Sequence, residues 1–197
     1  MKDVLLTLTA GNARTLSGHA IMGNGWNGEM AQTMADEKEL FWELLADRQK
    51  KLFNFLHRAL NFSEDSQDVY QEVVIRAWKY FPSFDRRQKF STWIFTIAHN
   101  EIKKYFNQRK KEHKVIPLEL LGTDPPAPVG DPVVALIFGA ARQLPLRQRE
   151  VFFLFYYNKF SIAEIAAISG LRQGNVKFIL SSGRETVRRA LEANHEK

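Results

Sequence analysis

Two stretches of the chain hold residue types whose spacing suits chemistry on nucleic acid. In residues 89–111, KFSTWIFTIAHNEIKKYFNQRKK, the aromatics Phe90, Trp93, Phe95 and Phe106 are interleaved with a polar face that grows steadily more basic and ends in Arg109-Lys110-Lys111. Cations neutralise phosphate and flat rings offer stacking surface, the pairing that single-stranded nucleic acid requires. Taken alone, an amphipathic core helix with a solvated basic end would read the same way. Nearer the C-terminus, Gln173, Asn175, Lys177, Phe178, Ser181, Arg184 and Arg188 fall away from an apolar row. A short helix, a glycine turn and a second amphipathic helix around them make a helix-turn-helix, which reads duplex DNA; a plain helical hairpin is the competing reading. No nucleophile–base set, phosphate loop or metal cluster stands out, so no catalytic residue, metal ligand or cofactor is assigned. Glu64, Asp65, Asp68 and Glu72 lack a facing set at a recognisable metal spacing.

The bulk properties bound the partners. The chain has 197 residues, a formal charge of +6 and no cysteine, so disulfides and cysteine-held metals are excluded and an anionic partner is favoured. No apolar run approaches the roughly 20 residues of a membrane span, and no signal-peptide core precedes the helices. A cytoplasmic, all-α protein is expected.

The elements that must position these residues follow from capping and periodicity. Residues 1–34 show no sustained period and are expected to form a disordered extension. Asp36 and Glu39 suggest a capping box, opening a helix whose stripe is Phe41, Leu44, Leu45, Leu52, Phe55, Leu56 and Ala59. Ser63, Glu64 and Asp65 open a second helix, which Pro82 ends at Phe81. It leaves Asp68, Gln71, Glu72, Ile75 and Lys79 outside an apolar face. Ser91 is the expected cap of the third helix. These helices form one small domain, 35–114. Prolines at 117, 125, 126 and 128 mark residues 115–130 as a linker to a second small helical domain, 131–194. There Asp131-Pro132 starts a helix with the stripe Val133, Leu136, Ile137, Ala140 and Leu144. Asn158 is expected in the left-handed conformation after the next helix. Ser161 and Glu164 form a capping box before the turn at Gly170, and Val176, Leu180, Gly183, Val187 and Leu191 form the last inward row.

At this point a family resemblance enters. The run Asp68-Val69-Tyr70-Gln71-Glu72-Val73-Val74-Ile75-Arg76-Ala77-Trp78, with Phe90-Ser91-Thr92-Trp93-Ile94 and Ile97-Ala98-His99-Asn100, resembles region two of bacterial RNA polymerase sigma factors. Leu144-Pro145-Leu146-Arg147-Gln148-Arg149-Glu150-Val151-Phe152, Ser161-Ile162-Ala163-Glu164-Ile165-Ala166 and Gly174-Asn175-Val176-Lys177 resemble region four. The two regions joined by a short linker are the layout of the extracytoplasmic-function (ECF) group.

The resemblance implies a sigma factor that binds core RNA polymerase, recognises and melts promoters, and lets polymerase perform the chemistry of initiation. It implies that Asp68, Gln71, Glu72 and Arg76 meet the beta-prime clamp, with region four meeting the beta flap. It places the minus-ten element at Phe90, Trp93, His99, Asn100, Lys103 and Lys104. Arg172, Gln173, Asn175, Lys177, Phe178, Ser181, Arg184 and Arg188 would face the minus-thirty-five element. An anti-sigma factor or other regulator is a further implied partner. The match has departures: Arg172 replaces a small polar cap, and Phe178, Ile179 and Ser182 stand where the family often has Ser and Arg, which leaves the promoter sequence open. A helix-turn-helix regulator that binds duplex DNA without acting as a sigma subunit is the alternative, and it leaves the aromatic–basic stretch unexplained.

Overall fold

The computed structural model describes residues 24–61, 63–111 and 132–195. The expected linker, the Asp131 cap and most of the expected extension lie outside these residues. The chain divides into two compact units, Met1–Asp36 and Glu37–Lys197. All described elements are helical: α1 (Asn24–Ala59), α2 (Ser66–Tyr80), a 3-10 turn (Phe81–Ser83), α3 (Phe90–Lys111), α4 (Pro132–Ala141), α5 (Leu146–Tyr156), α6 (Ile162–Ser169) and α7 (Gln173–His195).

The first helix corrects the expectation of a start at Asp36. In the first unit, Gln32 Nε2 donates to Asp36 Oδ1 at 2.9 Å, an i,i+4 pair on a continuing helix. Ala31, Gln32, Met34 and Ala35 are all good helix formers, so nothing compels a break there.

In the second unit, α3 packs against α2 and against α6. Phe41, Leu45, Leu52, Phe55 and Leu56 of α1, Val73 and Ala77 of α2, and Ile94, Phe95, Ala98 and Ile102 of α3 close the N-terminal core. The expected stripe of α1 is thus buried, with Leu44 half-buried, and the residues expected outside the apolar face of α2 are exposed. Asn61, at φ 59°, turns the chain after α1. Asp65 stands at the N-cap of α2 without a side-chain cap, because its carboxylate is engaged by Tyr105 Oη at 2.7 Å and by Arg109. Phe90 opens α3 and Ser91 lies inside its first turn, with Trp93 N–H donating to Lys89 O at 3.1 Å.

Among the C-terminal helices, α7 packs against α4, α5 and α6. Val176, Leu180, Gly183 and Val187 face inward as expected, and Gly183 sits against Phe152 and Leu144. The stripe of α4 holds only in its second half: Ile137, Ala140 and Leu144 pack on the core, whereas Val133 and Leu136 are each 56% exposed. Pro132–Ala141 is apolar or small at every position, so periodicity could not choose its inner face. Lys159, not Asn158, adopts the left-handed conformation after α5, at φ 62°. The Ser161–Glu164 capping box forms in both directions, and Gly170 takes φ 67° at the end of α6, where a side chain would be strained.

Candidate nucleic-acid interface

The first group of candidate residues lies on α2. Asp68, Gln71 and Glu72 are exposed together with Ile75, as the helical period requires. Asp68 and Glu72 border a cleft of about 330 Å³ shared with Glu101, Lys104, Tyr105 and Arg109 of α3. Sequence reasoning missed the organiser of this cleft, Glu101. It is 6% exposed and takes an ion pair from Arg76 at 2.5 Å and another from Lys104 at 3.5 Å. A buried carboxylate is tolerated only when paired, and here two cations from different helices meet the need. Its only signal in the sequence is an acid standing in an otherwise basic helix.

On α3 the candidate set divides. Asn100, Lys103 and Lys104 are exposed. Phe90 is buried, and Trp93 is half-buried, its ring 4.8 Å from Phe84 and 5.5 Å from Phe90. These rings extend an aromatic cluster through Phe81 to Phe41, capped by the Arg86 guanidinium 4.0 Å from the Phe81 centroid. Phe90 is therefore a scaffold for Trp93 in this conformation rather than an open stacking surface. His99 is also interior, 9% exposed, with Nδ1 3.1 Å from Glu150 Oε1 of α5. Glu150 and its neighbour Arg149 are themselves buried, and burial pushes the Arg149 guanidinium down to about 10 while its Nη1 donates to Arg142 O at 3.1 Å.

The His99–Glu150 pair belongs to a wider seam between α1–α3 and α4–α7. Lys89 Nζ meets Glu164 Oε1 at 2.7 Å, and Phe95 packs edge-on against Phe160 at 4.9 Å. Asn54 Nδ2 donates to Tyr157 Oη at 2.8 Å. Arg58, 5% exposed, lies 4.8 Å from the Tyr157 ring and 5.4 Å from the Phe138 ring, a cation held among aromatic faces. None of these pairings was visible in the sequence, because each joins positions far apart along the chain. In the loop before α3, Arg87 pairs with Asp85, and the Asp85 carboxyl is accordingly held below its usual range.

The helix-turn-helix presents its second helix, α7, to solvent. Arg172, just before it, and Gln173, Asn175, Lys177, Phe178 and Ser181 along its N-terminal half are exposed. Arg184 and Arg188 sit further round, bordering an apolar groove lined by Val134, Ile137, Phe138 and Phe152. Arg184 Nη1 donates to Tyr156 Oη at 3.3 Å, and Arg188 Nη2 pairs with Glu185 Oε1 at 2.9 Å. The eight candidates thus form a free set of six and a pair engaged within the fold.

Comparison with known proteins matches both halves. Residues 44–112 match sigma-70 region 2, and residues 136–187 match sigma-70 region 4. Over 149 residues the chain is 30% identical to the ECF RNA polymerase sigma factor SigL of Mycobacterium tuberculosis, covering 73% of this chain and 84% of SigL. The chain belongs to the ECF sigma factors. It is also 28% identical over 175 residues to the ECF sigma factor SigW of Bacillus subtilis, covering 81% of this chain and 93% of SigW. The solved structure of CnrH in complex with the cytosolic domain of CnrY superposes with a TM-score of 0.61 at 25% identity, over 83% of this chain and 94% of that one. The sigma factor RpoE of Bartonella quintana, solved with the anti-sigma factor NepR, shares the fold at a TM-score of 0.64 and 24% identity, over 77% and 98% of the two chains. As an ECF sigma factor, this protein acts with RNA polymerase in transcription initiation. Among the described residues, no helix is long and apolar enough to cross a membrane.

Proposed function

We propose that this sigma factor docks on core polymerase through Asp68, Gln71 and Glu72 of α2. On the same reading it holds the opened minus-ten strand along Trp93, Asn100, Lys103 and Lys104 of α3, and reads the minus-thirty-five duplex with the N-terminal half of α7. It contributes binding energy and no covalent step, and it works in the cytoplasm, where polymerase is. The domain division at 35–114 and 131–194, joined by 115–130, fits this split of duties.

The observation that carries the reading is the pairing of two exposed faces on adjacent helices: an acidic one on α2 and a basic, amide-bearing one on α3 beside a half-buried indole. An extruded base costs a few kcal/mol, which stacking and backbone neutralisation must return, and α3 offers both. The seam through Phe95 and His99, with Lys89 just before them, lies along that same helix, so the C-terminal helices must leave α3 before a strand occupies its full length. An anti-sigma factor that favours the docked arrangement would keep the protein silent. Run-off transcription with purified core polymerase and genomic fragments tests the function. Discrete promoter-dependent transcripts are expected. Duplex binding without transcripts, and without co-purification with core polymerase, would instead show a helix-turn-helix regulator.

A further inference from the structure

A large apolar ring standing in solvent needs an explanation, and Phe178 is 74% exposed in the middle of the free face of α7. On the helical period it points directly away from the inward row Val176, Leu180, Gly183 and Val187. Its neighbours along that outer line are Gly174 one turn before and Ser181 and Ser182 one turn after, so the ring stands above small residues. A Cβ added at Gly174 would meet nothing within 4 Å, so no packing inside the chain requires the small residue there. Lys177, next to Phe178 in the chain, and Arg172, just before α7 begins, are both exposed. The carboxylates further along the line are both paired: Glu185 with Arg188 at 2.9 Å and Arg189 at 3.0 Å, and Glu192 with Arg188 at 3.4 Å. The surface around Phe178 is therefore low, basic and free of uncompensated negative charge, which suits the close approach of a phosphate-walled groove.

A phenyl ring offers no hydrogen bond to a base edge, so donor–acceptor readout is closed to it. The apolar group that the major groove exposes is the C5-methyl of thymine. We infer that Phe178 is a specificity-determining residue that packs on a thymine methyl within the upstream promoter element. Lys177 and Arg172 set the register on phosphates and carry no sequence preference themselves. This inference rests on the reading of α7 as the duplex-reading helix.

The test uses holoenzyme assembled from the full chain and core polymerase, with assembly confirmed first by gel filtration. Selection from duplexes randomised over the upstream element is expected to fix a thymine at one position. Replacing that thymine by deoxyuridine removes only the methyl, and it should weaken wild-type binding about fourfold, the worth of one buried methyl. Phe178→Ala should bind the two duplexes alike, with unchanged helicity because the ring is exposed, and Phe178→Leu should restore part of the discrimination. Equal binding of thymine and deoxyuridine duplexes by wild type overturns the inference and leaves the sigma reading intact. Loss of assembly in Phe178→Ala also overturns it, since the ring would then serve polymerase. A wild-type chain that does not assemble with core overturns the sigma reading and the inference with it.

Discussion

Lys89 Nζ and Glu164 Oε1 lie 2.7 Å apart, joining the loop before α3 to the first turn of α6, and Glu164 uses its other oxygen to accept from Ser161 N–H at 2.9 Å. One carboxylate thus closes a capping box and ties the N-terminal helices to the C-terminal ones. Lys89 first, and then the Ser161 bonds, hold the Glu164 carboxyl down at about 2, against its ordinary 4.5. A depressed acid contributes stability that is present above its ordinary value and lost as pH falls through the folded one. Glu164→Gln keeps an oxygen that can close the capping box and removes only the charge, so it should cost about 0.5–1 kcal/mol at pH 6, a small figure because Lys89 is largely exposed and the pair is screened. Denaturant titrations at descending pH should show that difference shrinking below pH 4.5 toward 2. A gap that persists unchanged would assign the effect to side-chain packing.

Polymerase docking has a charge-reversal test. Asp68→Arg combined with Glu72→Lys replaces two exposed acids, so the circular dichroism spectrum should not change. Affinity for core polymerase should fall by at least tenfold, as like charges meeting across an interface cost several kcal/mol. Unaltered affinity would remove α2 from the docking surface.

Trp93 and Asn100 should respond differently to truncation. Trp93 packs on Phe84 and Phe90, so Trp93→Ala should lower stability by roughly 2 kcal/mol as well as impair promoter opening. Asn100 is exposed, so Asn100→Ala should leave the melting temperature alone and reduce opening only. Permanganate reactivity read beside thermal melts separates the two effects. Full opening with Asn100→Ala would exclude its amide from strand capture.

The seam should loosen when its aromatic-held cation is removed. Arg58→Ala deletes a guanidinium beside Tyr157 and Phe138 together with its buried stem, a loss of about 1–2 kcal/mol. Small-angle scattering of the free protein should report a larger radius of gyration, and single-stranded minus-ten oligonucleotides should bind more tightly. An unchanged radius would place the strength of the seam in Phe95–Phe160 and His99–Glu150.

Local signals were legible in the sequence, and long-range ones were not. The capping box at Ser161, the turn at Gly170 and the inward row of α7 each depend on neighbours within a turn or two, and all three form. The outward position of Phe178 follows from the same period. Asp36 misled because a capping pattern is also compatible with a helix already under way. Val133 and Leu136 misled because α4 is apolar all round, so only packing decides its inner face. The burial of Phe90 and His99 and the role of Glu101 depend on elements that meet across the fold, which no spacing encodes.

Glu101 has a thermodynamic consequence. It serves two cations at once: Arg76, on the helix proposed to meet polymerase, and Lys104, on the helix proposed to meet the strand. A counterion shared in this way makes the two engagements interdependent. Drawing Arg76 toward a partner strengthens the hold of Glu101 on Lys104, and neutralising Lys104 with phosphate returns the carboxylate to Arg76. Linkage requires the effect to run equally in both directions. The holoenzyme should thus grip the opened strand with an affinity different from that of the free subunit, even where polymerase touches no base.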